Sequence, residues 1–158
     1  MLRAALALVL SLGLAAWAQP ACAGTPDPEL GKLLDAQKIK YEVDSDGDYK
    51  VTFDLGNERT QVVWIRSATE SYGSLKVREV WSPGYKLSGE LPAKIANRLL
   101  EHSHGMILGG WTKQKSFAMY VVKILASATP QQVRDAAEAA ADAADEIEQE
   151  LTPGTDEL

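Results

Sequence analysis

Cysteine is almost missing from this chain: Cys22 is the only one in 158 residues. A single thiol excludes an intramolecular disulfide and a cysteine-rich zinc site. Histidine is nearly as scarce, with two residues, His102 and His104. No basic run exists, and 16 Lys and Arg stand against 22 Asp and Glu, for a net charge of −6. Phosphate backbones are held by clustered cations, so this balance argues against nucleic acid as a partner. What is present is ordinary for a globular chain. At 46% hydrophobic and 24% charged residues, the composition excludes global disorder and collagen-like repeats. The length points to one domain with a single core.

The first 23 residues stand apart. Arg3 is followed by an uncharged run from Ala4 to Trp17, rich in Leu and Ala, and Ala21-Cys22-Ala23 then places small residues before Gly24. This pattern predicts a secretory signal over 1–23, with a second candidate cut after Ala18. A membrane anchor is the alternative, but the run is shorter than the ~20 residues a spanning helix needs and ends at Gln19-Pro20. Acylation at Cys22 is a further alternative, and Gln19-Pro20-Ala21 lacks a lipobox pattern. Removing 23 of the 158 residues leaves 135, with 15 cations, 22 acids and no cysteine, a net charge of −7. The expectation is a periplasmic or secreted domain, held by core burial alone and without a membrane span.

Residues 24–27 read as a short mobile tether, 28–151 as one domain and 152–158 as an acidic tail. Asp27-Pro28 starts a helix over 28–38, with Leu30, Leu33 and Leu34 on one face. Asp46-Gly47 lies between alternating runs and predicts a type I′ hairpin turn. Strands follow at 49–55, at 61–66, and at 75–81, where imperfect alternation suggests a bulge before the breaker Ser82-Pro83-Gly84. Pro92 opens a helix with a left-handed stop at Gly105. Met106–Trp111 and Ser116–Leu125 are two strands joined by Lys113-Gln114-Lys115, and Thr129-Pro130 caps a last helix reaching Leu151. The order α-β-β-β-α-β-β-α predicts an α+β fold, an antiparallel five-stranded sheet with helices on one face.

The last helix carries a small-residue stripe: Val133, Ala137, Ala140, Ala144, Ile147 and Leu151, spaced 4, 3, 4, 3, 4. It also carries the charge. Residues 135–158 hold nine acids and no Lys or Arg, whereas residues 24–134 sum to +2. Such a helix either steers a basic partner or presents a solvated outer face.

No reaction chemistry assembles. Asp44, Asp46 and Asp48 have the spacing of the first ligands of a calcium loop, but Gly47 is at position four and Leu55 at position twelve. His102 and His104, two apart, fall on opposite sides of a helix, a poor geometry for chelation, and with Asp44, Asp46 and Asp48 they are the residues a metal-binding alternative would use. Ser103 lacks a nucleophile elbow, and Gly109-Gly110 lacks the Lys-Ser/Thr of a phosphate loop. No catalytic, cofactor or metal residue is therefore assigned. A small-ligand or metal-binding module and an unrecognised hydrolase are the alternatives, since catalytic groups also assemble from distant positions. The ending Thr155-Asp156-Glu157-Leu158 lacks the Lys or His that begins an ER retention signal.

Trp64, Trp81 and Trp111 all fall on predicted strands. Aromatic residues there fill a core or anchor a contact. Val62–Ile65 and Phe117–Leu125 are apolar on both faces, and one layer of helices covers one face only. The second face then suits a partner, with self-association as a homodimer the simplest case. Candidate contacts are Trp64, Trp81, Trp111, Val133, Ala137, Ala140, Ala144 and Ile147.

The stretch Ala144-Asp145-Glu146-Ile147-Glu148-Gln149-Glu150-Leu151-Thr152 with Asp156-Glu157-Leu158, and Gly109-Gly110-Trp111 before a long apolar strand, resemble the YbjN-like family of bacterial proteins, labelled sensory transduction regulators. The resemblance covers roughly residues 28–158. It implies a fold like that of type III secretion chaperones, often dimeric, and it implies no catalytic residue. It departs in compartment: those chaperones are cytoplasmic, whereas this chain carries an export signal. The combined expectation is an exported, non-enzymatic protein-binding, adaptor or chaperone-like protein in stress or envelope regulation.

Overall fold

The structure, a computed structural model, describes residues 24–156 and 158. The expected signal over 1–23, with Cys22, lies outside the described residues. The elements are α1 (Pro28–Ala36), β1 (Glu42–Val43), β2 (Tyr49–Gly56), β3 (Arg59–Tyr72), β4 (Leu75–Lys86), α2 (Ala93–Gly105), β5 (Gly110–Gln114), β6 (Phe117–Leu125) and α3 (Pro130–Leu151). The fold is α+β, with three helices and a six-stranded antiparallel sheet in the order β1-β2-β3-β4-β6-β5. The five strands expected become six because Glu42–Val43 forms a two-residue edge strand on β2.

Local chemistry sets the helix starts. Asp27 Oδ1 accepts the Glu29 N–H at 3.0 Å and Pro28 follows. Thr129 and Gln132 form a reciprocal capping box on α3, again with a proline next. Gly105 does not take the left-handed conformation expected of it. Met106 leaves α2 in extended backbone, and the left-handed glycine is Gly109, at φ +81°.

Turn positions differ from expectation for identifiable reasons. At Asp46-Gly47 only Gly47 has positive φ, and Asp44 pairs with Asp48 around it, a looser loop than a type I′ turn. The paired positive φ of a type I′ turn occurs at Asn57 and Glu58, +52° and +62°, between β2 and β3. Strands β3 and β4 run past their expected ends and meet at a hairpin by Gly73. Ser82-Pro83-Gly84 does not break β4, because its ladder with β6 shifts register between Pro83 and Tyr85 and absorbs the proline in a bulge. Strand β5 begins at Gly110 rather than Met106, and Lys113 and Gln114 lie in it, with the turn at Lys115.

One face of the sheet is covered. Successive partners Tyr49, Ile65, Val80 and Val122 form one row across four strands and pack with Leu30 and Leu34 of α1 and Ala137 and Ala140 of α3. Leu99 of α2 joins Ala118 and Ile147 beside it. Helix α3 sits very close: a Cβ on Gly84 would lie 2.3 Å from the Trp111 ring and 2.9 Å from the Ala144 carbonyl oxygen. The small residues of α3 and the absent side chain at 84 thus set the layer spacing.

Residues 24–27 are pinned rather than free. Gly24 N–H donates to Ser45 O at 3.1 Å, and Asp27 N–H donates to Ser67 Oγ at 3.0 Å. Arg78, only 4% exposed, donates to Asp27 Oδ2 at 2.5 Å and to the carbonyls of Arg66 and Ser67.

Candidate functional site: the open sheet face

Side chains alternate across a strand, so the rows between the core rows face away from the helices. One such row runs Lys50, Trp64, Trp81, Val121 and Gly110 across five strands. The next places Met119 between Pro83 and Thr112. Trp64 and Trp81 are direct cross-strand partners, and both are half-buried on the face turned away from the helices.

A chain of polar contacts orders this face. Asp48 Oδ1 accepts the Ser67 N–H at 2.7 Å, and Oδ2 lies 2.5 Å from Arg66 Nε. Burial pushes the Asp48 carboxyl up, against the Ser67 hydrogen bond and the Arg66 charge. The Arg66 guanidinium sits 4.1 Å over the Trp81 ring. Trp81 Nε1 donates to Glu79 at 2.9 Å, and Glu79 meets Lys123 at 3.0 Å. The arrangement holds Trp81 between a hydrogen bond at its indole edge and a cation over its ring, which suits a contact surface.

Beside it lies a cleft of about 510 Å³, lined by Val62, Trp64, Trp81, Pro83, Phe117, Met119 and Leu158, with Asp44, Asp46, Lys50 and Lys115 also on its wall. That volume is in the range of small-ligand sites. The Asp44 carboxylate is already engaged by the N–H groups of Asp46 and Asp48 at 2.9 and 3.0 Å.

The other sequence candidates lie elsewhere. Trp111 faces the helices, where Nε1 donates to His102 Nδ1 at 3.0 Å. His102 therefore carries its proton on Nε2, 3.3 Å from Glu146. Val133, Ala137, Ala140, Ala144 and Ile147 are at most 1% exposed and form the inner face of α3. The stripe offered as a partner surface is core, because small residues serve close packing on the sheet. Arg66, Pro83, Phe117 and Met119 were missed. Proline inside an apolar strand was the signal available for the cleft, since it marks a bulge or an unpaired edge.

The acidic segment divides: Asp135, Asp142, Glu146 and Glu150 are exposed on the outer side of α3, as the solvated-face reading expects, whereas Asp145 and Glu148 are buried. Arg59 Nε donates to Asp145 at 2.6 Å, and its Nη2 lies 3.2 Å from Glu148 and 3.7 Å from Asp156. The Asp145 hydrogen bond raises the Arg59 pKa further above its ordinary value. Among the described residues these three acids form the one grouping with metal-ligand proximity, and a guanidinium fills it. Glu150 pairs with Arg98 at 2.6 Å and Glu138 with Arg134 at 2.9 Å. Much of the C-terminal charge is thus spent on the body of the same chain.

No helix among the described residues is long and apolar enough to cross a membrane. No protein-family model matches the chain, and no curated protein matches it.

Proposed function

We propose that this is an exported, non-enzymatic protein-binding or adaptor protein of YbjN-like type with a type III secretion chaperone-like fold, and that the open sheet face is its contact surface. The observation carrying this reading is the half-buried cross-strand pair Trp64 and Trp81, on the sheet face opposite the one on which all three helices pack. Rigid aromatic residues flanked by an arginine are the composition of interface anchors. Crosslinking and pull-down from the native envelope test it, with Trp81→Ala and Trp64→Ala as comparators. Capture that both variants abolish while remaining folded supports the reading. A monodisperse monomer with no captured partner sinks it. Export itself is read from fractionation and from a mature N-terminus at Gly24.

A second reading, a small-ligand module, is favoured by the volume of the cleft. A thermal-shift screen with no response to Ca²⁺, Zn²⁺ or small organic ligands would remove it.

A further inference from the structure

The cleft ends at a gap in the sheet. Trp64 opposite Trp81 and Ile65 opposite Val80 set a register that would put Val62 opposite Pro83, yet the ladder stops before that pair. Proline has no N–H to give. Side chains take over instead: Ser82 Oγ donates to Val62 O at 2.8 Å, and the Gln61 amide donates to Pro83 O at 2.7 Å. The Val62 N–H is left over, and it donates to the backbone oxygen of Leu158 at 3.4 Å. Two residues earlier, the Thr60 N–H and hydroxyl donate to the Asp156 carboxylate, both at 3.2 Å. One step before that, Arg59 Nη1 donates to Thr155 O at 2.9 Å. The tail therefore advances in the same direction as β3, along the stretch that β4 has left, with Leu158 on the wall of the cleft.

We infer that this slot is a binding site for an extended peptide carrying a carboxylate two residues before a leucine, supplied by a protein partner, and that the chain's own tail is its competitor. Strand addition to a sheet edge takes affinity from main-chain hydrogen bonds and specificity from alternate side chains. Here the carboxylate reads the Thr60 N–H, the Thr60 hydroxyl and Arg59, and the leucine reads the cleft. The inference rests on the protein-binding reading and names the chemistry of what is bound.

The test uses the full chain carrying Asp156→Lys and Leu158→Ser, which releases the tail, and a fluorescein-labelled peptide Gly-Thr-Asp-Glu-Leu. The released chain should bind the peptide at least tenfold more tightly than the unaltered chain. Peptides carrying either substitution should lose at least tenfold. A released chain that is folded by circular dichroism and tryptophan fluorescence yet does not bind overturns the inference, as does equal binding of the altered peptides. If the double variant does not fold, a chain ending at Gly154 takes its place under the same criteria. An unaltered chain that is a dimer, falling to a monomer on tail release, places a second copy's tail in the slot and overturns a separate partner. Failure of the peptide with Trp81→Ala still abolishing capture leaves the broader reading standing.

Discussion

Replacing Asp27 by alanine should destabilise the protein by about 4 kcal/mol at pH 7. Two losses add. The Asp27 carboxylate caps α1 through the Glu29 N–H, and N-cap removal costs ~1 kcal/mol. The same carboxylate neutralises Arg78, and breaking a buried ion pair costs ~3–5 kcal/mol. The lower figure applies because the guanidinium keeps the carbonyls of Arg66 and Ser67. Burial alone would raise the Asp27 pKa, but the Arg78 and Glu29 hydrogen bonds and the Arg78 charge overcome it, and the group lies below its usual 3.8. A lowered folded pKa means stability that is full above the unfolded value and is lost as pH falls through the folded one. The difference between Asp27→Ala and the parent in urea unfolding should therefore be constant from pH 7 to 5 and shrink below about pH 4. The double variant Asp27→Ala/Arg78→Met should recover part of the loss, because no buried charge remains. A cost under ~1.5 kcal/mol, or a difference unchanged down to pH 3, would refute the assignment.

Three further outcomes are expected. Gly84→Ala forces a methyl against the Trp111 ring and the Ala144 carbonyl, and thermal unfolding should show a loss of about 3 kcal/mol or more; a change below ~1 kcal/mol would mean that α3 moves freely. Glu58→Gly removes a non-glycine residue from a left-handed position at φ +62° and should stabilise by roughly 0.5–1 kcal/mol, read as a raised Tm. Trp111→Phe leaves His102 Nδ1 without its donor inside the core and should cost about 2 kcal/mol in denaturant, beyond what a surface Trp→Phe change shows.

Much of the framework was legible where chemistry is local. Asp27-Pro28 and Thr129-Pro130 announce helix starts because cap and proline act within one turn, and Tyr49–Leu55 announces a strand through period two. The periodicity of α3 was legible, but not which way it faces, since the same small-residue stripe suits a partner helix and a close-packed sheet. The long β3–β4 hairpin was hidden because Val62–Ile65 is apolar on both faces and Pro83 reads as an ending. Pairings such as Arg59 with Asp145, 86 residues apart, have no local signature at all, so the two buried acids Asp145 and Glu148 could not be told from the exposed acids of the same helix. The open sheet face itself was half visible. Surplus apolar strand surface was countable, whereas the placing of Trp64 beside Trp81 depends on a register set far from either residue.

The proline in β4 has a consequence for colloidal behaviour. A strand edge with free N–H groups templates its own aggregation, and proteins commonly cover such edges with a loop. The break at Pro83 creates an interior edge of this kind along Arg59–Val62, and the last residues shield it. Proteolytic nicking near Gly154 would therefore do little to the helix–sheet core, yet it would bare a strand beside an apolar cleft. The nicked protein should stay folded and become prone to ordered self-assembly.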